Sequence, residues 1–237
     1  MKKDDFIVVL TGAGISAESG VKTFRDKDGL WENHRVEDVA TPEAFERDPV
    51  LVWRFYKQRY LQSLEVQPNA GHKALVELEK HFGDKYLLIT QNVDGLHTRA
   101  GSQRLLEMHG RLLTCFCVGC RTNYQMSTVD LKPDIPLCPA CSDCLRPDIV
   151  WFGEMPYFLD EIYEALTKVT VFISIGTSGM VYPASYFIAM ARHKKAKTIG
   201  VNYDRPENNM YIDEFHQGKA GEILPGLVKE LIENSIN

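Results

Sequence analysis

The sequence predicts an α/β fold, in which a parallel sheet carries helices on both faces and a smaller domain lies beside it. Short apolar runs suited to buried strands occupy residues 6–10, 86–89, 169–175 and 197–201. Helical patterns separate each run from the next, as in a parallel sheet with crossover helices. The length of 237 residues is sufficient for a large domain that carries a smaller one.

The first apolar run leads directly into a turn of small residues. Gly12, Gly14 and Ala17 follow the dinucleotide-binding fingerprint, in which glycines let the backbone approach a pyrophosphate and the next helix offers free N–H donors. A tight strand-to-helix turn without a ligand is the alternative. Because the turn follows a strand directly, the pattern favours nucleotide binding and a sheet of the Rossmann type.

The segment after this turn disfavours a dehydrogenase. Such an enzyme needs a second strand that ends in an acidic residue about 20 residues further on, and residues 23–31 do not resemble a strand. Better candidates for binding a ribose are Asn202, Tyr203 and Asp204, which follow the apolar run at 197–201. A loop that merely caps that strand is an equally good interpretation.

Residues 26–82 are predicted to form a helical module, because prolines separate helical segments such as 50–64 and 72–80. A second insertion, 114–146, has few long apolar runs and needs a metal to hold it together. The two insertions would form the small domain. The Rossmann-type domain would comprise residues 1–25, 83–113 and 147–237.

All six cysteines lie between positions 115 and 144. Two C-x-x-C pairs offer the four thiolates of a tetrahedral zinc ribbon: Cys117, Cys120, Cys138 and Cys141. Free structural thiols, a redox-active pair and an iron–sulfur cluster are the alternatives. A closed set of four cysteines favours one structural Zn²⁺ per chain, with Cys115 and Cys144 as spare thiols.

Composition excludes several other classes of protein. The net charge of -5 is spread along the chain, so a nucleic-acid partner is not expected. Residues 6–10 are much too short for a signal-peptide core or a membrane span. Cysteines gathered in one segment suit a reducing compartment. We therefore expect a cytoplasmic protein with no membrane partner.

Several motifs in a fixed order resemble the sirtuin family. Gly12-Ala-Gly-Ile-Ser16 is followed by Thr23-Phe-Arg-Asp26, then by Thr90-Gln-Asn-Val-Asp94 and Met108-His109-Gly110, and finally by residues 146–154 and 176–178. The two C-x-x-C pairs also fit this family. The resemblance covers nearly the whole chain, from about Phe6 to the final helix.

The resemblance implies an enzyme that consumes NAD while it removes acyl groups from protein lysines. His109 would be the general base. Residues of the substrate site would be Val150, Phe152, Gly153 and Val181, in segments that hold an acylated peptide by backbone strand addition. Residues around NAD would be Gly12, Ala13, Gly14, Ser16, Thr23, Phe24, Arg25, Trp31, Gln91, Asn92, Asp94, Gly176, Thr177, Ser178, Asn202, Tyr203, Asp204 and Ala220.

Tyr56 and Arg59 would give the enzyme its acyl preference. They lie three residues apart in a predicted helix and so share one face, where a guanidinium and a hydroxyl can bind one carboxylate. Spacing alone favours a plain role in covering an apolar surface. The pair at this place, however, resembles class III sirtuins, which implies removal of succinyl and malonyl groups as well as acetyl.

The expected products are nicotinamide, O-acyl-ADP-ribose and free lysine, and the expected partners are acylated lysines of many proteins. An NAD-dependent protein ADP-ribosyltransferase is the alternative enzyme, because a protein side chain could capture the same activated sugar. A binding module that joins a zinc ribbon to a nucleotide sensor is the alternative outside enzymes. It would require an inert site at His109.

Overall fold

The computed structural model describes residues 2–22, 30–31 and 34–236, with the backbone alone at 30–31. The strands are β1 (Ile7–Thr11), β2 (Leu30–Trp31), β3 (His34–Arg35), β4 (Tyr86–Thr90), β5 (Leu105–Glu107), β6 (Gly110–Cys117), β7 (Asn123–Gln125), β8 (Leu145–Ile149), β9 (Val171–Ile175), β10 (Lys197–Asn202) and β11 (Glu214–Gln217). The helices are α1 (Val36–Val39), α2 (Pro42–Arg47), α3 (Pro49–Glu65), α4 (Ala70–Phe82), α5 (Leu96–Ala100), α6 (Leu159–Lys168), α7 (Ala184–His193) and α8 (Ala220–Ile236). None of these described helices is long and apolar enough to cross a membrane.

The larger sheet has six strands in the order β11-β10-β9-β1-β4-β5. All neighbours pair in parallel, and Ile7 of the central strand β1 lies opposite Tyr86 on one side and Val171 on the other. The four apolar runs of the sequence become β1, β4, β9 and β10, so the predicted α/β class is confirmed.

Helices cover both faces of this sheet because alternate residues of each strand point to opposite sides. Ile7 and Val9 of β1 pack in a core with helices α4 and α8. Val8 and Leu10 pack in a second core with α6 and α7. Since all four side chains are buried, β1 has the continuous apolar sequence of a central strand.

The small domain combines helices α1 to α3 with a three-stranded antiparallel sheet, β7-β6-β8. Asp48 accepts a hydrogen bond from the Leu51 amide and Pro49 occupies the first turn, which together begin helix α3. The indole of Trp53 on this helix donates to the Leu145 carbonyl of β8 over 2.8 Å. Helix α3 is thereby fixed to the sheet that carries the cysteines.

The helical module differs from the sequence prediction in two places. It contains a short antiparallel pair, β2 with β3, whose two-residue strands are too short to produce a recognisable pattern. Helix α4 buries Leu75, Leu78 and Phe82 in the core of the large sheet. This packing joins α4 to the large sheet, and the domain boundary after residue 82 stays a prediction.

The glycine turn after β1 also departs from expectation. Instead of the α-helix that the fingerprint predicts, two single 3-10 turns follow, Ala13–Ile15 and Ala17–Ser19. Gly20 then adopts a left-handed conformation, with φ 91°, and this conformation ends the helical course. The expectation of an α-helix directly after the turn was therefore wrong.

Candidate functional site

The carboxyl ends of β1, β4, β9 and β10 bring the predicted NAD-binding segments to one edge of the sheet. Backbone hydrogen bonds tie the loops together: the Gly12 amide donates to the Ile175 carbonyl, Gly14 to Gly176, Gln91 to Thr11, and Gly176 to Val201. Strand β1 lies between β4 and β9. From β1 the chain adds β4 and β5 on one side of the sheet, and it then adds β9, β10 and β11 on the other side. Ligands of open α/β sheets bind at such a crevice.

Glycine is required where two of these loops meet. A Cβ atom on Gly12 would lie 2.8 Å from the Gly176 carbonyl oxygen, and a Cβ on Gly14 would lie 2.6 Å from the Gly176 Cα. Gly176 itself has a positive φ of 61°. The glycines therefore allow the backbones of the loops after β1 and β9 to lie in direct contact.

Beneath the loops lies a buried polar cluster, Ser16, Asn92 and Asp94. The Ser16 hydroxyl donates to the Asp94 carboxylate over 2.7 Å, and the Asn92 amide group donates to both the Ser16 hydroxyl and the Gly12 carbonyl. Burial raises the pKa of Asp94. These three side chains come from two separate loops, and they form a polar floor at the place where all three are predicted to bind NAD.

Two histidines that the sequence analysis did not single out support this floor. The Asn69 amide donates to His72 Nδ1 in a capping box, so Nε2 carries the proton that faces Ser16, at 3.5 Å. Burial lowers the pKa of His72 to about 4, so the ring is neutral at pH 7. His97 contacts the His72 ring and hydrogen-bonds Thr11 over 2.9 Å. Only the capping box could have signalled His72 in advance.

The predicted adenosine side lies at the ends of β9 and β10. The Asn202 amide group donates to the Thr177 carbonyl over 2.7 Å and so joins the two loops. Ser178 lies in the same β9 loop, whereas Tyr203 and Asp204 are exposed. Ala220 is buried as the first residue of α8. Asn202, Thr177 and Ser178 therefore lie together where β9 and β10 end.

Part of the predicted cofactor site falls outside the described residues. This applies to Thr23, Phe24 and Arg25, and to the side chain of Trp31. Ala13 lies within the glycine turn, in the first 3-10 turn. The assignment of these five residues to NAD stays a prediction, as does that of the other residues in the predicted cofactor site.

His109 lies directly before β6 and faces the end of β4. Its Nδ1 atom is 3.2 Å from the Gln91 carbonyl oxygen. A carbonyl only accepts hydrogen bonds, so Nδ1 carries the ring proton and Nε2 keeps its lone pair. Burial lowers the pKa of His109, an effect that the bond to Gln91 opposes. The result is a neutral imidazole whose Nε2 keeps a lone pair.

The first of the two predicted peptide-binding segments is hydrogen-bonded to this histidine, and both segments contain exposed residues. The Val150 amide donates to the His109 carbonyl over 2.9 Å, and the Phe152 amide donates to the Ala40 carbonyl over 3.0 Å. Gly153 has a positive φ of 91°, so residues 150–153 form a turn rather than an extended strand. Val181, in the second segment, is half-buried.

Tyr56 and Arg59 are both buried on helix α3, with exposed fractions of 0% and 8%. The Trp151 indole donates to the Tyr56 hydroxyl over 2.9 Å. The Arg59 guanidinium lies over the Phe55 ring, 5.0 Å from its centroid. Helix α3 thus contacts the turn next to His109 through Tyr56, and Arg59 lies one turn further along the same helix.

The four cysteines of the C-x-x-C pairs come together at one end of the small domain. Their sulfur atoms all lie within 4.8 Å of one another, with Cys117 and Cys141 at 3.4 Å and Cys120 and Cys138 at 3.7 Å. Tetrahedral zinc with Zn–S bonds of about 2.3 Å requires sulfur separations of about 3.8 Å. The donor set therefore fits a closed structural zinc site.

Comparison with known proteins gives one consistent relationship. The Sir2 family model matches residues 12–183. The chain is 54% identical over 231 residues to a Bdellovibrio bacteriovorus protein named NAD-dependent protein deacylase, covering 96% of this chain and 97% of the relative. An Escherichia coli K12 protein of the same name is 48% identical over 234 residues, covering 96% of this chain and 82% of the relative.

Solved structures give the same relationship at the level of the fold. A Sir2 homologue in complex with NAD superposes with a TM-score of 0.90 at 38% identity, covering 99% of this chain and 92% of the other. A Sir2 complex with a p53 peptide and NAD⁺ superposes with a TM-score of 0.84 at 29% identity, covering 98% and 94%. The crevice and small domain described above are therefore shared with proteins that bind NAD and a peptide.

Proposed function

Since the chain belongs to the Sir2 family and is an NAD-dependent protein deacylase, we propose that it removes acetyl, succinyl and malonyl groups from protein lysines. The acidic half of this proposal rests on one observation. Tyr56 and Arg59 are buried together on α3, and Trp151 joins Tyr56 to the turn that hydrogen-bonds His109.

A buried arginine beside a tyrosine suits an acyl group that ends in a carboxylate. The planar guanidinium of Arg59 can donate two parallel hydrogen bonds to the carboxylate, and the Tyr56 hydroxyl can add a third. An acetyl group has no polar terminus and gains none of these bonds. Succinyl and malonyl groups are therefore bound with extra affinity, while acetyl remains a substrate of the same crevice.

The protonation of His109 supports its role as the general base. NAD, when bound, supplies a ribose carbon from which nicotinamide leaves as the acyl oxygen attacks. His109 Nε2, unprotonated and held by the bond from Nδ1 to Gln91, accepts a proton from a ribose hydroxyl. Asn92, Asp94 and Ser16 would hold the nicotinamide side. The ribose hydroxyl oxygen would then bond to the acyl carbon, the lysine amine would leave, and one water molecule would be added. The products would be nicotinamide, O-acyl-ADP-ribose and free lysine.

The peptide around the acylated lysine would bind between residues 150–153 and 179–182. Phe152, Met180 and Tyr182 are exposed there, with fractions of 45%, 66% and 77%. Because the Val150 and Phe152 amides bond within the protein, strand addition at the first segment would use its carbonyl groups. Recognition through the backbone places few demands on sequence, so many acylated proteins can be substrates.

Mass spectrometry of one peptide carrying acetyl, malonyl, succinyl or no acyl group tests this function directly. With the purified chain and NAD, we expect each acylated peptide to lose its acyl mass, with one nicotinamide released per deacylation. The unacylated peptide serves as the control. If only the acetyl peptide lost its acyl group, the proposal that succinyl and malonyl groups are also removed would be contradicted. A peptide that gains the mass of ADP-ribose would favour an ADP-ribosyltransferase instead.

A further inference from the structure

We propose that Trp151 sets the acyl selectivity by orienting the Tyr56 hydroxyl, and that Arg146 and Glu154 hold Trp151 in place. The inference rests on the proposed function, because it assumes that Tyr56 donates a hydrogen bond to an acidic acyl group. It adds three positioning residues that lie outside the Tyr56 and Arg59 pair. All three belong to β8 or to the turn that follows it.

The bond between Trp151 and Tyr56 has a fixed direction. An indole N–H can only donate, so the Tyr56 oxygen is the acceptor over the 2.9 Å between them. The hydroxyl proton of Tyr56 must then point away from Trp151. Both side chains are buried, with exposed fractions of 0% and 2%, so water does not compete for this bond. Trp151 therefore determines the direction in which Tyr56 donates.

Arg146 and Glu154 fix the indole from the other side. The Arg146 guanidinium lies over the Trp151 ring at 3.6 Å from its centroid. Glu154 accepts two hydrogen bonds from Arg146, of 2.7 and 2.5 Å, and a third from the Trp151 amide over 2.8 Å. Arg146 also donates to the Ile149 carbonyl over 3.1 Å. These bonds close the 149–154 turn around the guanidinium.

The indole nitrogen can be removed without opening this turn. In Trp151→Phe, a ring still lies over Arg146 and the backbone bonds of the turn to Glu154 and His109 are kept. What disappears is the hydrogen bond to Tyr56, so the indole no longer constrains the direction of the Tyr56 hydroxyl. An acidic acyl group depends on the direction of that hydroxyl, and an acetyl group does not.

The test compares kcat/KM for succinyl and acetyl versions of one peptide. We expect Trp151→Phe to lower the succinyl-to-acetyl ratio about three- to tenfold, as one hydrogen bond of ordinary strength allows. Tyr86→Phe is the matched control, because Tyr86 is also fully buried and lies on β4 in the core of the large sheet, away from helix α3. We expect it to leave the ratio unchanged, even if stability falls.

A double-mutant cycle with Tyr56→Phe separates orientation from simple loss of packing. If Trp151 acts through the Tyr56 hydroxyl, Trp151→Phe lowers the ratio no further in a Tyr56→Phe background. An equal fall in both backgrounds, or no fall in the wild-type background, would overturn the inference. A wild-type chain that does not desuccinylate, or a Tyr56→Phe variant with an unchanged ratio, would instead refute the proposed function.

Arg146→Lys tests the outer part of the arrangement. Lysine keeps the charge next to Glu154 but loses the planar stack and the forked pair of bonds. We expect the ratio to fall in the wild-type background and to stay constant in the Tyr56→Phe background. A fall of equal size in both would show that Arg146 acts by a route other than Trp151 and Tyr56.

Discussion

The two sides of the crevice are built in different ways. On the cofactor side, formed by the loops after β1, β4, β9 and β10, backbone bonds such as Gly12 to Ile175 and Gly176 to Val201 join the segments. On the proposed acyl side, Tyr56 and Arg59 come from α3 and Trp151 from one turn, and the Trp151 side chain contacts that of Tyr56. The fold fixes the first side, whereas single residues determine the second.

This difference predicts how each side tolerates substitution. Ser16 takes part in bonds with Asn92, Asp94 and His72, so a change at one member disturbs several others. Networks of this kind respond as a unit. On the acyl side, one side chain can be replaced while the crevice remains. We therefore expect cofactor-side changes to remove all activity and acyl-side changes to redirect it.

The largest effect is expected from removal of the zinc ligands. Cys117→Ser combined with Cys138→Ser should abolish zinc binding and unfold the small domain, because structural zinc contributes on the order of 10 kcal/mol to such modules. Trp53, which holds α3, packs in the same core as these cysteines, so the acyl side should lose its shape. Elemental analysis and circular dichroism measure the two results.

Cys144→Ser is the matched control for that experiment, because Cys144 lies outside the four-sulfur cluster. It should keep one zinc per chain. Stoichiometric zinc in the doubly substituted protein would contradict the assigned ligand set.

Replacement of His109 by Ala should have the next largest effect. Loss of a general base lowers turnover by about 10²- to 10⁴-fold, and the fall should be the same for acetyl and succinyl peptides because both need the base. Nicotinamide release gives the rate, and thermal unfolding checks that the fold is intact. A variant that still deacylates at the wild-type rate would remove His109 from the mechanism.

The effect of Arg59→Met on activity should be smaller, and it should depend on the acyl group. Hydrogen bonds to a charged group contribute about 1.5 to 3 kcal/mol, so kcat/KM for a succinyl peptide should fall roughly ten- to a hundredfold while that for an acetyl peptide changes little. Arg54→Met is the matched control, since Arg54 lies on the same helix but is exposed. Equal losses for both acyl groups would show that Arg59 serves only the fold.

The smallest effect is a displacement of the pH profile. Burial lowers the pKa of His109 below the ordinary histidine value, so Nε2 stays unprotonated and active until the pH falls below about 6.5. Activity should then decline on the acid side as the base is protonated. The pH dependence of kcat/KM with an acetyl peptide measures this. If kcat/KM began to decline on the acid side at a pH above the ordinary histidine pKa, the assignment of His109 as the base would be contradicted.

The parts of the fold with a repeating pattern were predictable from the sequence. The apolar run at 6–10 became β1, displaced by one residue, because a strand buried on both faces needs apolar residues throughout. The zinc ligands could be predicted because two pairs of cysteines with C-x-x-C spacing bind a metal more often than they serve another purpose. The α-helix expected after Gly14 was replaced by 3-10 turns, since a fingerprint does not specify the conformation of the loop that follows it.

Contacts between distant segments were beyond sequence reasoning. Tyr56 and Trp151 are 95 positions apart, and nothing local signals that one donates to the other. Apart from the capping box of His72, the sequence does not distinguish His72 and His97 from any other histidine in a helix, and only the fold brings them next to Ser16 and Thr11. Contacts between side chains that are distant in the sequence produce no periodic pattern from which they could be predicted.

Binding without turnover tests most directly whether the acyl side recognises a carboxylate independently of the chemistry on the cofactor side. Isothermal titration of the His109→Ala variant with acetyl and succinyl versions of one peptide gives the two dissociation constants. We expect the succinyl peptide to bind more tightly, and the difference to vanish when Arg59→Met is added. Equal affinities in His109→Ala, or a difference that survives Arg59→Met, would contradict the account.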